Sequence, residues 1–121
     1  MFMLPQEIEV WYIIPAIRKE LATLLTKEHK LSYDKAGKLI GVSKAAVAQY
    51  LSNKRANKVK LNKKIKSEIK KSAKMLTENP NAFIFEIQRI LKLMKTEKCS
   101  CNICKQFNKD VSKYCNCEPK F

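Results

Sequence analysis

Two glycines in 121 residues leave this chain few places to turn tightly, and both fall in one five-residue stretch, at Gly37 and Gly41. There are only four prolines as well. Sheets of several strands need more turn residues than that, so the chain is expected to be all-α. The glycines lie inside Tyr33-Asp-Lys-Ala-Gly-Lys-Leu-Ile-Gly-Val-Ser-Lys-Ala-Ala-Val-Ala-Gln-Tyr-Leu-Ser52. Apolar spacing predicts a helix from Ser32 to Ile40, with Ser32 as its N-cap and Gly41 as the left-handed residue that ends it. Ser43 is then expected to cap a second helix from Lys44 to about Ser52. Two short helices meeting steeply through a three-residue turn make a helix-turn-helix, and residues 31–55 carry it. Ala36 and Gly37 are small where the helices cross, and Val42 fills the gap between them. Leu39, Ile40, Val47, Tyr50 and Leu51 face the core. An ordinary helical hairpin is the plainer reading, but it gives no reason for a small glycine, a turn glycine and a plug valine at these offsets.

Charge points the same way. The net charge is +14, and residues 27–74 hold fourteen lysines and Arg55 against Glu28, Asp34 and Glu68. Such a stretch fits a polyanion, most often nucleic acid. A lysine-biased chain with solvated side chains is the competing explanation. The outward face of the second helix of the motif is Lys44, Ala45, Ala48, Gln49, Ser52 and Asn53. In a helix-turn-helix this face enters the major groove. Gln49 can pair bidentately with adenine, Lys44 can donate to guanine or phosphate, and Ala45 or Ala48 can touch a thymine methyl. Ser32, Tyr33, Ser43, Lys54, Arg55 and Lys58 suit phosphates, although Ser32 and Ser43 serve equally as caps. For Lys58 and the lysines of the next helix, solvated surface is the plainer reading.

The remaining elements follow from periodicity. Residues 6–14 alternate like a strand yet also suit a helix face, and Pro15 interrupts backbone pairing. Ile17, Leu21, Leu24 and Leu25 make an amphipathic helix running to about Lys27. A fourth helix is expected over about Leu61–Leu76. Asn79-Pro80 reads as N-cap and first-turn proline of a fifth, about Asn81–Thr96. That last helix carries more apolar surface than one core face needs, enough for a second subunit or for the N-terminal segment. Val10 to Ile14 is the longest apolar run, far below the roughly 20 residues of a membrane span. No secretory signal pattern opens the chain, so it reads as cytoplasmic, with no membrane partner.

All five cysteines lie in residues 99–117, as Cys99-x-Cys101-x-x-Cys104, ten residues, then Cys115-x-Cys117. An odd, clustered set is a poor disulfide framework. Thiolates are soft ligands for zinc, copper(I) and iron–sulfur clusters. The sole histidine, His29, lies far upstream, which leaves an all-sulfur site. An iron–sulfur cluster tolerates irregular spacing. Structural zinc favours wider pairs, and a redox dithiol needs two cysteines only. Spacing alone keeps zinc and iron–sulfur level.

Leu4-Pro5-Gln-Glu-Ile-Glu-Val-Trp-Tyr-Ile-Ile-Pro-Ala-Ile-Arg18, followed by Gly41-Val-Ser-Lys-Ala-Ala-Val-Ala-Gln-Tyr-Leu-Ser52, resembles a family of archaeal transcriptional regulators. These carry a Cro/repressor-type (XRE-type) helix-turn-helix and end in a short cysteine cluster. The resemblance spans most of the chain. It implies a five-helix DNA-binding fold, a homodimer on a near-palindromic operator in double-stranded DNA, and an iron–sulfur cluster, most simply 4Fe-4S, with zinc as the alternative. The family tail approximates two Cys-x-x-Cys or Cys-x-x-His pairs, and this tail departs from that. Cys101, Cys104, Cys115 and Cys117 are the favoured ligands, with Cys99 alternative or additional.

The expected organisation is therefore a segment 1–78 with the N-terminal extension and the DNA-binding domain. Residues 79–121 then supply a dimerisation helix and a cluster-binding tail. The expected function is a sequence-specific regulator whose operator binding responds to the cluster, as a redox or iron–sulfur sensor. The alternatives are a zinc-stapled repressor without sensing and a basic chromatin-type coating protein. No His–Asp–Ser set, carboxylate pair or phosphate-cradling loop is present, so neither an enzyme nor a small-molecule substrate is expected.

Overall fold

The computed structural model describes residues 5–52 and 61–96. All of their regular structure is helical, with no strand among them. A first helical rod combines α1 (Pro5–Ile8), a π-helical stretch (Glu9–Ile13) and α2 (Ile14–Lys27). Then come α3 (Tyr33–Ile40), α4 (Lys44–Leu51), α5 (Lys63–Glu78) and α6 (Phe83–Thr96). Counting the first rod once, the described residues form five helices, as expected.

The ambiguity at residues 6–14 resolves as a helix with one widened turn. The Ile14 N–H reaches back five residues to the Glu9 carbonyl. In a regular α-helix the Pro15 ring would strike the carbonyl four residues earlier, and Pro15 has no N–H to give. A π-turn just before it loosens that register, so the rod passes through Pro15. The alternation of Ile8, Val10, Tyr12 and Ile14 is a coincidence of spacing: Ile8 and Ile13 are the fully buried positions.

The core gathers around α2, which packs against α3, α4 and α5. Ile17, Leu21, Ala22 and Leu25 are buried on it, as are Ile40, Val47, Ile65, Ile69, Leu76, Ile90 and Met94 on the other helices. Each large aliphatic side chain so removed from water contributes about 1.5–3 kcal/mol. Glu9 pairs with Lys95 at 3.4 Å, and the Arg18 guanidinium lies over the Phe83 ring at 5.4 Å. The first rod and α6 therefore run antiparallel.

Helix boundaries differ from the sequence reading at both ends of α5 and at the start of α6. α5 starts two residues later than Leu61, because Asn62 is the N-cap: its Oδ1 accepts the Ile65 N–H at 2.8 Å. Asn79 does not cap α6. It ends α5, where its N–H reaches the Met75 carbonyl, and its Oδ1 accepts the Asn81 N–H at 3.2 Å. α6 begins at Phe83, with the Glu86 N–H on the Ala82 carbonyl. The Asn-Pro pair closes one helix and forms the turn rather than opening the next.

A polar network that sequence reasoning missed locks α5 to α6. Arg89 Nη1 donates to Glu68 Oε2 at 2.7 Å, and its Nη2 donates to Ser72 Oγ at 2.9 Å. The Ser72 hydroxyl donates to Glu86 Oε1 at 2.8 Å. Ser72 and Glu86 are both buried. The one legible signal was the Glu86/Arg89 pair at i, i+3, a spacing that brings opposite charges together on a helix.

Candidate nucleic-acid interface

The α3–turn–α4 unit is built as the two glycines dictate. Ser32 Oγ accepts the Lys35 N–H at 3.2 Å, and Ser43 Oγ accepts the Ala46 N–H at 3.1 Å. Each satisfies one orphan donor of a helix start. Gly41 sits at φ 74, in the left-handed region. The Val42 N–H then returns to the Gly37 carbonyl at 2.9 Å, six residues bridged as in a Schellman closure. Gly37 holds the crossing itself. A Cβ there would lie 2.6 Å from the Val42 backbone oxygen and 3.4 Å from Ser43 backbone atoms. No side chain fits without opening the two helices.

The core side of α4 is Ala46, Val47 and Tyr50, all buried. Ile40 and Ala36 meet them from α3, and Val42, Leu39 and Leu51 are half-buried against the same core. The opposite side presents Lys44, Ala45, Ala48, Gln49 and Ser52, all exposed. Ser52 donates its hydroxyl to the Gln49 carbonyl at 3.2 Å, so it closes the helix end as well as facing outward. Ser32, Tyr33 and Ser43 are also exposed, at the starts of α3 and α4. The expected residues from Ser32 to Ser52 are thus all exposed, at the starts of α3 and α4 and on the side of α4 away from the core. Asn53, Lys54 and Arg55 lie outside the described residues.

The electrostatics of this side are one-signed. The first turn of α4 contains no acid and begins with Lys44. A cation there opposes the positive end of the helix dipole, at a cost of about 0.3–1 kcal/mol. Asp34, the one carboxylate on α3 or α4, is paired with Lys38 at 3.3 Å. Nothing on the outward face of α4 would repel a phosphate.

One backbone feature beside the motif had no sequence signal. Lys30 adopts φ 55. The Leu31 N–H reaches back to the Leu25 carbonyl at 3.0 Å, ending the α2 turn tightly before Ser32. A lysine in this conformation costs about 1–2 kcal/mol.

All five cysteines, Cys99, Cys101, Cys104, Cys115 and Cys117, lie outside the described residues. Among the described residues no group of three or more potential metal ligands comes together. No helix there is long and apolar enough to cross a membrane. No family model matches the chain, and no curated protein or solved structure is significantly similar to it.

Proposed function

We propose that this protein reads duplex DNA by sequence through α4 and regulates transcription at an operator. The observation that carries the reading is the outward face of α4. It is held by the Ser43 cap and the Gly41 turn, and it combines a side-chain amide, a lysine and two small apolar residues with no carboxylate. Gln49 pairs with adenine, Lys44 with guanine or phosphate, and Ala45 and Ala48 pack on thymine methyls. Ser32, Tyr33 and Ser43 take the phosphate oxygens that fix register but carry no sequence information.

Two chains act together in this reading. Ile84 and Phe85 remain 73% and 74% exposed at the start of α6, although Ile87, Ile90 and Met94 of the same helix are buried. Exposed apolar side chains of that size suit a partner subunit. A two-fold pair would set its α4 helices about 34 Å apart, in successive major grooves of a near-palindromic site.

The thiolates after α6 supply the donor chemistry of an iron–sulfur centre, with zinc as the alternative. Cys101, Cys104, Cys115 and Cys117 would hold it, with Cys99 as a further ligand. A bound cluster would contribute a centre sensitive to oxidation or iron supply, joined to the reader through α6 and α5. Coupling of about 1–3 kcal/mol would suffice for a regulatory change in affinity. Visible absorption with iron and sulfide in anaerobically prepared protein supports the cluster, and a colourless zinc protein refutes it. Equal DNA affinity before and after cluster removal refutes sensing alone.

The experiment for the central reading is selection from a random-sequence duplex library. A reader enriches one motif and binds it at least about 1,000-fold tighter than its scrambled version. A coating protein enriches nothing.

A further inference from the structure

α5 carries lysines on every side that is not packed, but four of them are organised. Lys63, Lys66, Lys70 and Lys74 are spaced three, four and four residues apart, which puts them in one row along the helix. All four are exposed. Lys63, Lys66 and Lys74 have no acidic partner among the described residues. Lys70 has one, Glu28, at 3.7 Å. The first turn of α5, like that of α4, contains no acid.

A row of like charges at this spacing repels itself. Lysines in the first turn are also repelled by the helix dipole. On the α6 side of the same helix the opposite has happened: Glu68 is paired with both Arg89 and Lys71. One side of α5 is therefore neutralised, while three of the four lysines in the row on the other have no acidic partner among the described residues. An external polyanion turns the repulsion along the row into attraction.

The place of the row says which polyanion. Glu28 is the C-cap of α2, four residues before Ser32, the N-cap of α3. The Lys70–Glu28 contact thus sets the row beside the entry to the helix-turn-helix. Eleven residues of helix span about 16 Å, long enough for the row to lie along several phosphates of a DNA backbone.

We infer that the Lys63/Lys66/Lys70/Lys74 row is a second DNA contact, a phosphate-tracking ridge that grips the backbone flanking the site read by α4. It rests on the proposal that the chain binds duplex DNA, but it is independent of whether α4 reads sequence. The ridge supplies affinity and salt dependence and no base preference.

The test is the triple variant K63Q/K66Q/K74Q, which spares the Lys70–Glu28 pair. Binding of a labelled random-sequence duplex is followed between about 50 and 200 mM salt. The slope of log K against log salt is expected to fall by about 2.7, roughly 0.9 for each phosphate no longer neutralised. The charge-matched control K71Q/K92Q/K95Q, on other faces of α5 and α6, should keep nearly the wild-type slope. Unfolding midpoints of both variants verify the fold. A row variant with the wild-type slope, or an equal fall in the control, overturns the ridge. Preference for a selected site over its scrambled version is measured on the same proteins. A reduced slope without any preference refutes sequence reading and leaves the ridge standing. A preference with an unchanged slope does the reverse. Failure of the wild-type chain to bind the duplex at about 50 mM salt refutes both.

Discussion

Gly37 and Gly41 stand four residues apart and are needed for different reasons. Gly41 is required by its conformation: a Cβ there meets nothing within 4 Å, but φ is 74. Gly41→Ala should therefore cost about 1 kcal/mol. Gly37 is required by contact, with backbone only 2.6 Å from its missing Cβ. Gly37→Ala should cost more, about 2 kcal/mol, because the helices must move apart. Urea midpoints of the two variants give the order, and a larger loss for Gly41→Ala would contradict these roles. Glu68 offers a pH test. Hydrogen bonds from Arg89, then from Lys71, hold its carboxyl below the ordinary value of 4.5, against a smaller opposing effect of burial. A depressed carboxylate adds stability above the unfolded value and loses it as pH falls toward the folded one. Wild-type protein should thus lose stability below about pH 4.5 more steeply than Glu68→Gln. Parallel acid-unfolding curves would remove Glu68 from the lock. Both glycines were legible in the sequence, because a turn and a close crossing each demand a missing Cβ. The Glu68–Ser72–Glu86–Arg89 network was not. Its members come from two helices, and Ser72 looks like a surface filler until α6 is laid across it.

Elements were legible where a side chain acts within three residues of itself. Ser32 and Ser43 cap the helices they precede, so local spacing was enough. Asn62 acts in the same way but was hidden behind Leu61, whose apolar spacing suggested an earlier start. Asn79 carried the right residue type for a cap and the wrong neighbours: the chain needs it to end α5 and to form the turn through Asn81. The two asparagines should differ on substitution. Asn62→Ala loses a cap worth about 1 kcal/mol, whereas Asn79→Ala removes an exposed turn bond worth less than about 0.5 kcal/mol. Thermal unfolding of both variants checks this, and equal losses would contradict the boundary at Phe83. The π-stretch was illegible for another reason. Pro15 was rightly read as a break in regular pairing, but a break can be absorbed by one wide turn as well as by a loop. That choice depends on burying Ile8 and Ile13 together, which is a property of the packed core.

At the scale of the molecule, α2 supports both halves of the proposed function. It packs against α3, α4 and α5. α6 is tied to α5 by the lock centred on Arg89, and to α2 directly by Arg18 over the Phe83 ring. Phe85→Glu places a charge on the exposed start of α6, where the second chain is proposed to dock. Sedimentation should show a monomer with the fold intact, and an unchanged mass would discard this face as the interface. The sequence showed that α6 had apolar surface to spare. It did not show that the surplus is Ile84 and Phe85, because only the packed structure separates these from Ile87 and Ile90. The central claim is that the exposed face of α4 reads bases, and Gln49 tests it most directly. Selection from a random duplex library is run with the wild-type chain and with Gln49→Ala. One enriched motif is expected for the wild type, and for the variant the same motif with one position per half-site relaxed, at about 1–3 kcal/mol per site. Uniform weakening across all sequences, or no enriched motif for either protein, would contradict the claim.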